Sequence, residues 1–250
     1  MVVQLVKPVL APVLMAQAKR LRRLALELPE PPGERAGLAR AGDVMIPAGA
    51  RRPWSVLIAG DSSAAGVGAQ TQSEALAPQL AAALAARTGR DVAWQLVAET
   101  GRTSAGVYEL LRDAPLPALD AAIVIVGVND ISNDVAIGHA LRVRNRIVRH
   151  LRAETGVSHV LFPGLPAVER FPLLPQPLAW YGGAQARLSD RMQARWAAHP
   201  KRRDYVSHLP MDGFTHPQLM AEDGFHPGPA LYTMVAAHFA AHLAQRLAGD

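Results

Sequence analysis

The chain contains no cysteine among its 250 residues, which removes disulfide scaffolds, thiolate metal sites and thiol catalysis together. Aromatic residues are sparse, at 5%. None of them interleaves with the densest arginine run, Arg142, Arg144, Arg146, Arg149 and Arg152, so nothing there is arranged to stack on bases. Arg142, Arg146 and Arg149 share one helical face, and despite a formal net charge of +5 the run reads as a solvated basic surface with no nucleic-acid partner. No Gly-Lys-Ser/Thr phosphate loop occurs, and Gly66-Val-Gly68 lacks the last glycine of a dinucleotide fingerprint.

Long hydrophobic runs are also missing. The apolar N-terminal stretch is interrupted by Lys7, Pro8 and Pro12, and falls short of the roughly 20 apolar residues that a membrane span needs. Its cationic residues, Lys19, Arg20, Arg22 and Arg23, follow the apolar part, whereas a secretory signal carries them first. The segment is expected to be a helix packed on the domain. A helix lying in a membrane interface stays open, and with it a peripheral membrane contact through the N-terminus. A cytoplasmic location is the expectation.

What the chain does have is apolar mass, 50% of its residues, enough for a sizeable core. Residues 1–50 read as an N-terminal helix and linker, with "ELPEPPGERAG" as the linker, and residues 51–250 as the main domain. From Arg52 onward, short β-rich runs (Ser55 to Ala59, Val92 to Ala98, Ala121 to Val126, Ser158 to Phe162, Tyr205 to Leu209) alternate with alanine- and leucine-rich helical segments. That is the βαβ rhythm of a mostly parallel, five-stranded sheet covered on both faces. Leu231, Val235, Phe239, Leu243 and Leu247 recur every fourth residue behind Pro227 and Pro229, which marks a final helix. Thr71-Gln-Ser-Glu74 resembles a capping box, but Pro78 interrupts the helix it would start, so a start at Pro78 is the alternative.

In such a sheet, ligands bind beyond the carboxyl ends of the strands. The residues after each strand are therefore the informative ones: Gly60-Asp61-Ser62-Ser63, then Glu99-Thr100-Gly101, then Gly127-Val128-Asn129-Asp130, and late in the chain Asp223-Gly224-Phe225-His226-Pro227. Taken singly, each is an ordinary turn or cap. Together they supply what acyl transfer needs: an oxygen nucleophile, an imidazole base, a carboxylate to orient it, and donors for an oxyanion. The three-residue offset from Asp223 to His226 lets one turn bring the carboxylate to Nδ1 while Nε2 faces a serine.

These four blocks, in this order, resemble the SGNH or GDSL hydrolases, a family of esterases and lipases. The first block departs from the family pattern only in reading Gly-Asp-Ser-Ser. The resemblance implies a flavodoxin-like three-layer α/β/α sandwich, with Ser62 as nucleophile, His226 as general base and Asp223 as its orienting acid. It also implies an oxyanion hole made of the N–H groups of Ser62 and Gly101 and the side-chain amide of Asn129, with Gly106 the alternative to Gly101. No cofactor and no metal are expected, and the partner is a small-molecule or lipid ester.

Rival assignments are weaker. No Gly-x-Ser-x-Gly elbow is present. Asp212 and His216 are four residues apart and so lose the three-residue offset. Asp61 reads as a brace of the turn. His238 and His242 sit one helical turn apart but without a glutamate between them or an evident third ligand, and read as a plain helix-face pair. The proline-rich segment from Pro163 to Gly183 is expected to reach the same rim, either walling an acyl pocket, with Phe171, Leu174, Trp180 and Tyr181 as substrate-binding candidates, or simply packing on the sheet edge. A non-catalytic module for carbohydrate or acidic ligands, and a metal-dependent phosphohydrolase, are the competing functions.

Overall fold

In the computed structural model, residues 2–24, 26–42 and 52–248 are described. The expected boundary between residues 50 and 51 lies outside them. Six strands form one sheet: β1 (Ala36–Ala39), β2 (Trp54–Gly60), β3 (Val92–Ala98), β4 (Ala121–Ile125), β5 (His159–Pro163) and β6 (Val206–Leu209), in the order β1-β3-β2-β4-β5-β6. The pairs among β2 to β6 are all parallel, and β1 joins β3 antiparallel at the edge. The parallel part therefore has the doubly wound order of a flavodoxin-like sheet. The chain leaves β2 toward β3 and then reverses across it to β4, which opens a crevice at their carboxyl ends.

The sixth strand is the departure from five. Its sequence, Ala-Gly-Leu-Ala, carries neither β-branched residues nor a buried face, and only its backbone pairing with β3 makes it a strand.

Alternation along β2 builds the two cores. Val56 and Ile58 face the layer of α3 (Leu76–Thr88) and α8 (Pro229–Leu247), while Leu57 and Ala59 face that of α4 (Ser104–Asp113) and α6 (Ile137–Thr155). The leucine, valine and phenylalanine stripe of α8 is buried along its whole length. The helix α3 starts at Leu76, two residues before Pro78, because a proline in the first turn removes no hydrogen bond. Thr71 does not cap it. The Glu74 side chain instead turns back to the Gln70 N–H, and residues Gln72–Glu74 form a 3-10 turn.

The N-terminal helix α1 (Val2–Leu24) packs on α7 (Leu178–Ala197), with Leu14 buried and Gln17 bonded to Gln176 O (2.7 Å) and the Leu178 N–H (3.2 Å). Its opposite side exposes Val9, Val13 and Met15. No helix among the described residues is long and apolar enough to cross a membrane.

Candidate active site

At the end of β2 the backbone passes so close to β4 that a Cβ on Gly60 would lie 2.3 Å from the Ile125 carbonyl oxygen, which only glycine permits. The chain then turns into α2 (Ser62–Ala65). Asp61 is its N-cap, and the carboxylate accepts the Ser63 N–H at 3.1 Å. Ser62 is thus the first residue of a helical turn, and its own N–H has no intrahelical acceptor.

The turn from Asp223 folds back as the offset requires. Asp223 Oδ1 accepts the backbone N–H groups of Phe225 (2.9 Å) and His226 (3.0 Å), and Oδ2 lies 2.5 Å from His226 Nδ1. His226 Nε2 lies 2.9 Å from Ser62 Oγ. A carboxylate only accepts, so Nδ1 carries the proton and Nε2 is left to accept the Ser62 hydroxyl hydrogen. Burial alone would raise the Asp223 carboxyl, but the hydrogen bonds from His226 and Phe225 outweigh it and hold the group below its ordinary value. Phe225 meets the imidazole edge-on, with ring centroids 5.0 Å apart.

Asn129 stands on α5 (Val128–Ser132), the turn after β4. Its Nδ2 donates to Asp61 Oδ2 at 3.3 Å and to Arg102 O at 3.2 Å, both long bonds. Gly101, at φ +81°, occupies an exposed turn after β3. Gly106 lies inside α4, where its N–H goes to the Thr103 cap, so of the two glycines only Gly101 sits at the strand end. Burial, with the nearby charge of Asp130 adding to it, pushes the Asp61 carboxyl up to about 7.

Behind this rim lies a buried polar network that the sequence reading missed. Arg144 is fully buried and pairs with Asp130 Oδ2 at 2.9 Å, which corrects its place in a solvated arginine face. Asp130 also takes the N–H (2.9 Å) and hydroxyl (2.6 Å) of Ser104, and Arg144 reaches Ser104 Oγ (3.2 Å) and Gln193 Oε1. The available signal was periodicity: position 144 falls four residues after Ala140 and four before Val148, both on the buried stripe of α6. The remaining arginines of the run are exposed, with Arg146 over Tyr108 and Arg152 over Tyr205.

The cleft over Ser62 and Asn129 is small, a cavity of about 60 Å³ walled by Phe171, Phe214, Met220, Phe225 and Leu231. Of the four substrate-binding candidates, Phe171 lines it. Leu174 packs behind, in the cluster that contains Phe171 and Phe225. Trp180 and Tyr181 do not reach it: the proline-rich stretch ends at Pro177 and both residues lie on the first turns of α7. Trp180 faces a separate depression beside Glu169, Gln176 and Arg187, and Tyr181 Oη accepts from Gln185 at 3.0 Å. Phe214 and Met220, which precede the Asp-x-x-His turn, and Phe225 inside it were not among the substrate-binding candidates.

The remaining imidazoles have other partners. His238 stacks on Phe214 and bonds Pro210 O at 3.1 Å, and His208 meets Asp190 at 2.8 Å. Asp212 is exposed and His216 leads into the 3-10 turn Pro217–Leu219. No group of three or more potential metal ligands clusters among the described residues.

Residues 58–234 match the GDSL-like lipase/acylhydrolase family. A GDSL-like esterase of Mycobacterium tuberculosis is 30% identical over 187 residues, 72% of this chain; the chain spans only 59% of that relative's length. Among solved structures, TesA (22% identity, TM-score 0.59) is covered over 99% of its length and 77% of this chain. The lipase/acylhydrolase from Enterococcus faecalis (19% identity, TM-score 0.57) is covered over 96% of its length and 77% of this chain. At these identities the two structures show the shared fold.

Proposed function

The chain belongs to the GDSL-like lipase/acylhydrolase family, and from that premise we propose that it hydrolyses carboxylic esters through a covalent acyl-serine intermediate. The observation that carries the reading is the unbroken relay from Ser62 Oγ to His226 Nε2 (2.9 Å) and from Nδ1 to Asp223 (2.5 Å).

Ser62 Oγ attacks the ester carbonyl carbon while Nε2 of His226 takes its proton, and Asp223 stabilises the imidazolium that results. The new oxyanion receives the N–H groups of Ser62 and Gly101 and the Asn129 amide. The Asn129 bonds to Asp61 and Arg102 are long, so exchanging one for a charged acceptor is favourable. Collapse expels the alcohol, which leaves with the proton from His226. Water, deprotonated by the same Nε2, then attacks the acyl carbon, and Ser62 recovers its proton as the carboxylic acid departs.

The cavity sets the acyl group. The cleft over Ser62 is small and walled largely by apolar side chains, so the shortest acyl groups fit without rearrangement while a longer chain must displace Phe171 or its neighbours. The test is hydrolysis of p-nitrophenyl esters from acetyl to decanoyl, with and without EDTA, alongside a fluorophosphonate probe. The expected result is labelling at Ser62, highest turnover on the shortest esters and indifference to EDTA. Loss of activity to chelator, or labelling elsewhere in the chain, would overturn the proposal.

A further inference from the structure

The residues before β1 do not dangle as a linker. Between Glu30 and Arg35 they form a strap that touches both halves of the site. On one side Pro31 packs against Gly66, where a Cβ would lie 3.1 Å from its ring, at the end of the helix that begins with Ser62. Pro32 O accepts the Gln72 N–H at 2.9 Å, and the Gln72 side chain bonds Ala65 O at 2.8 Å. On the other side the Glu30 carboxylate takes both donors of Thr100, the backbone N–H at 2.7 Å and the hydroxyl at 2.8 Å. Arg35 completes the clamp by bonding Glu30 (3.0 Å), Ala98 O and, through its own carbonyl, the Leu96 N–H (2.7 Å).

Thr100 immediately precedes Gly101. The turn that carries both is exposed; its closing backbone bond, Arg102 N–H to Glu99 O, is long at 3.4 Å, and the same two residues are otherwise tied by a surface ion pair (2.8 Å). An exposed turn with so little internal bonding opens readily unless something outside it holds it. From this we infer that Glu30 is a positioning residue, which fixes Thr100 and thereby aims the Gly101 N–H at the oxyanion. The inference rests on the esterase reading for the role of Gly101, and on the hydrogen bonds above for the role of Glu30. It makes the N-terminal strap a working part of the site. Because Glu30 acts by accepting two hydrogen bonds, a neutral acceptor of the same length must replace it.

The experiment compares Glu30→Ala, Glu30→Gln and the exposed strap control Glu34→Ala with wild type. The readouts are kcat and KM on p-nitrophenyl acetate, the rate of fluorophosphonate labelling, thermal melting, and amide hydrogen exchange across residues 99–103. Losing a whole oxyanion donor costs about 100- to 1,000-fold in kcat, so a misaimed one is expected to cost Glu30→Ala about 10- to 100-fold, with KM within about twofold. Labelling slows in parallel, exchange of the turn amides quickens, and melting stays near wild type. Glu30→Gln is expected within about threefold of wild type, and Glu34→Ala unchanged. The inference is overturned by Glu30→Ala with undiminished kcat, by a loss confined to KM, or by Glu30→Gln as impaired as Glu30→Ala, which would implicate charge instead of aim. A wild-type protein that neither hydrolyses esters nor labels sinks the esterase reading instead. Exchange of the turn amides then decides the strap separately, and exchange unaltered in Glu30→Ala rejects it.

Discussion

Among the described residues two serines are in hydrogen-bond contact with histidine, and only one has the surroundings of a nucleophile. Ser62 meets His226 at 2.9 Å, and Ser207 meets His159 and His242, each at 2.8 Å. The distances are equivalent but the settings differ. His226 is backed by a carboxylate and faces a serine that opens onto a cleft from the start of a helical turn. Ser207 lies in β6 among buried side chains, and Arg246 stands near both of its imidazoles where the first site has an acid. Burial, with Arg246 adding to it, lowers His159 to about 4, and His242 is lowered for the same reasons. A base starved of its proton by desolvation holds a hydroxyl in place; it does not ready it for attack. The Ser–His bond is therefore common to structure and catalysis, and the carboxylate and the opening separate them.

The comparison breaks most visibly at the serines themselves. Ser62→Ala is expected to lower kcat on p-nitrophenyl acetate by at least about 10⁴-fold with melting unchanged. Ser207→Ala should leave kcat within about threefold while destabilising the fold by about 1 to 3 kcal/mol, measured by urea denaturation, because it leaves one buried and one partly buried ring nitrogen without this partner. Comparable activity losses in the two variants would erase the distinction.

Next in size is the oxyanion side. Asn129→Ala is expected to cost about 100- to 1,000-fold in kcat with little change in KM, checked by steady-state kinetics.

The pH dependence of stability sharpens the contrast further, because the two regions respond with opposite signs. Asp61, raised to about 7, is protonated in the folded chain and ionised in the unfolded one between its ordinary value and 7, so its contribution falls as pH rises through that window. His159, lowered to about 4, contributes stability above its ordinary value that is lost as pH falls toward 4. Relative to wild type, Asp61→Asn should therefore gain stability on going from about pH 4.5 to about pH 7.5, and His159→Asn should lose it, each by no more than about 3 kcal/mol in urea titrations. The same sign for both variants would contradict this account. Smallest of all, His216→Ala is expected to change kcat by less than about threefold, whereas His226→Ala should match Ser62→Ala.

Legibility in the sequence followed burial and covalent spacing. Strands β2 to β5 announced themselves because each is a mostly apolar, largely buried run bounded by turn residues, β6 by the shorter apolar pattern around Val206 and Leu209, and Asp223 and His226 because three residues of chain fix their separation. Arg144 was hidden by its neighbours: four exposed arginines on the same helix suggested a fifth, and only its place on the stripe of Ala140 and Val148 told otherwise. Trp180 and Tyr181 misled because prolines end at Pro177 while apolar residues continue, so the start of α7 looked like more loop. Strand β1 and Glu30 left no signal at all, since both are defined by what they touch across the sheet: β1 by Val92 to Gln95, and Glu30 by Thr100.

The short antiparallel strand has a bearing on how the protein behaves when concentrated. It occupies the flank of β3 that would otherwise present seven residues of open backbone, and replaces it with a four-residue border, Ala36–Ala39, followed by the exposed cation of Arg40. With the opposite border, β6, equally brief, neighbouring molecules find no long ladder to extend, which guards the sheet against fibril-like stacking.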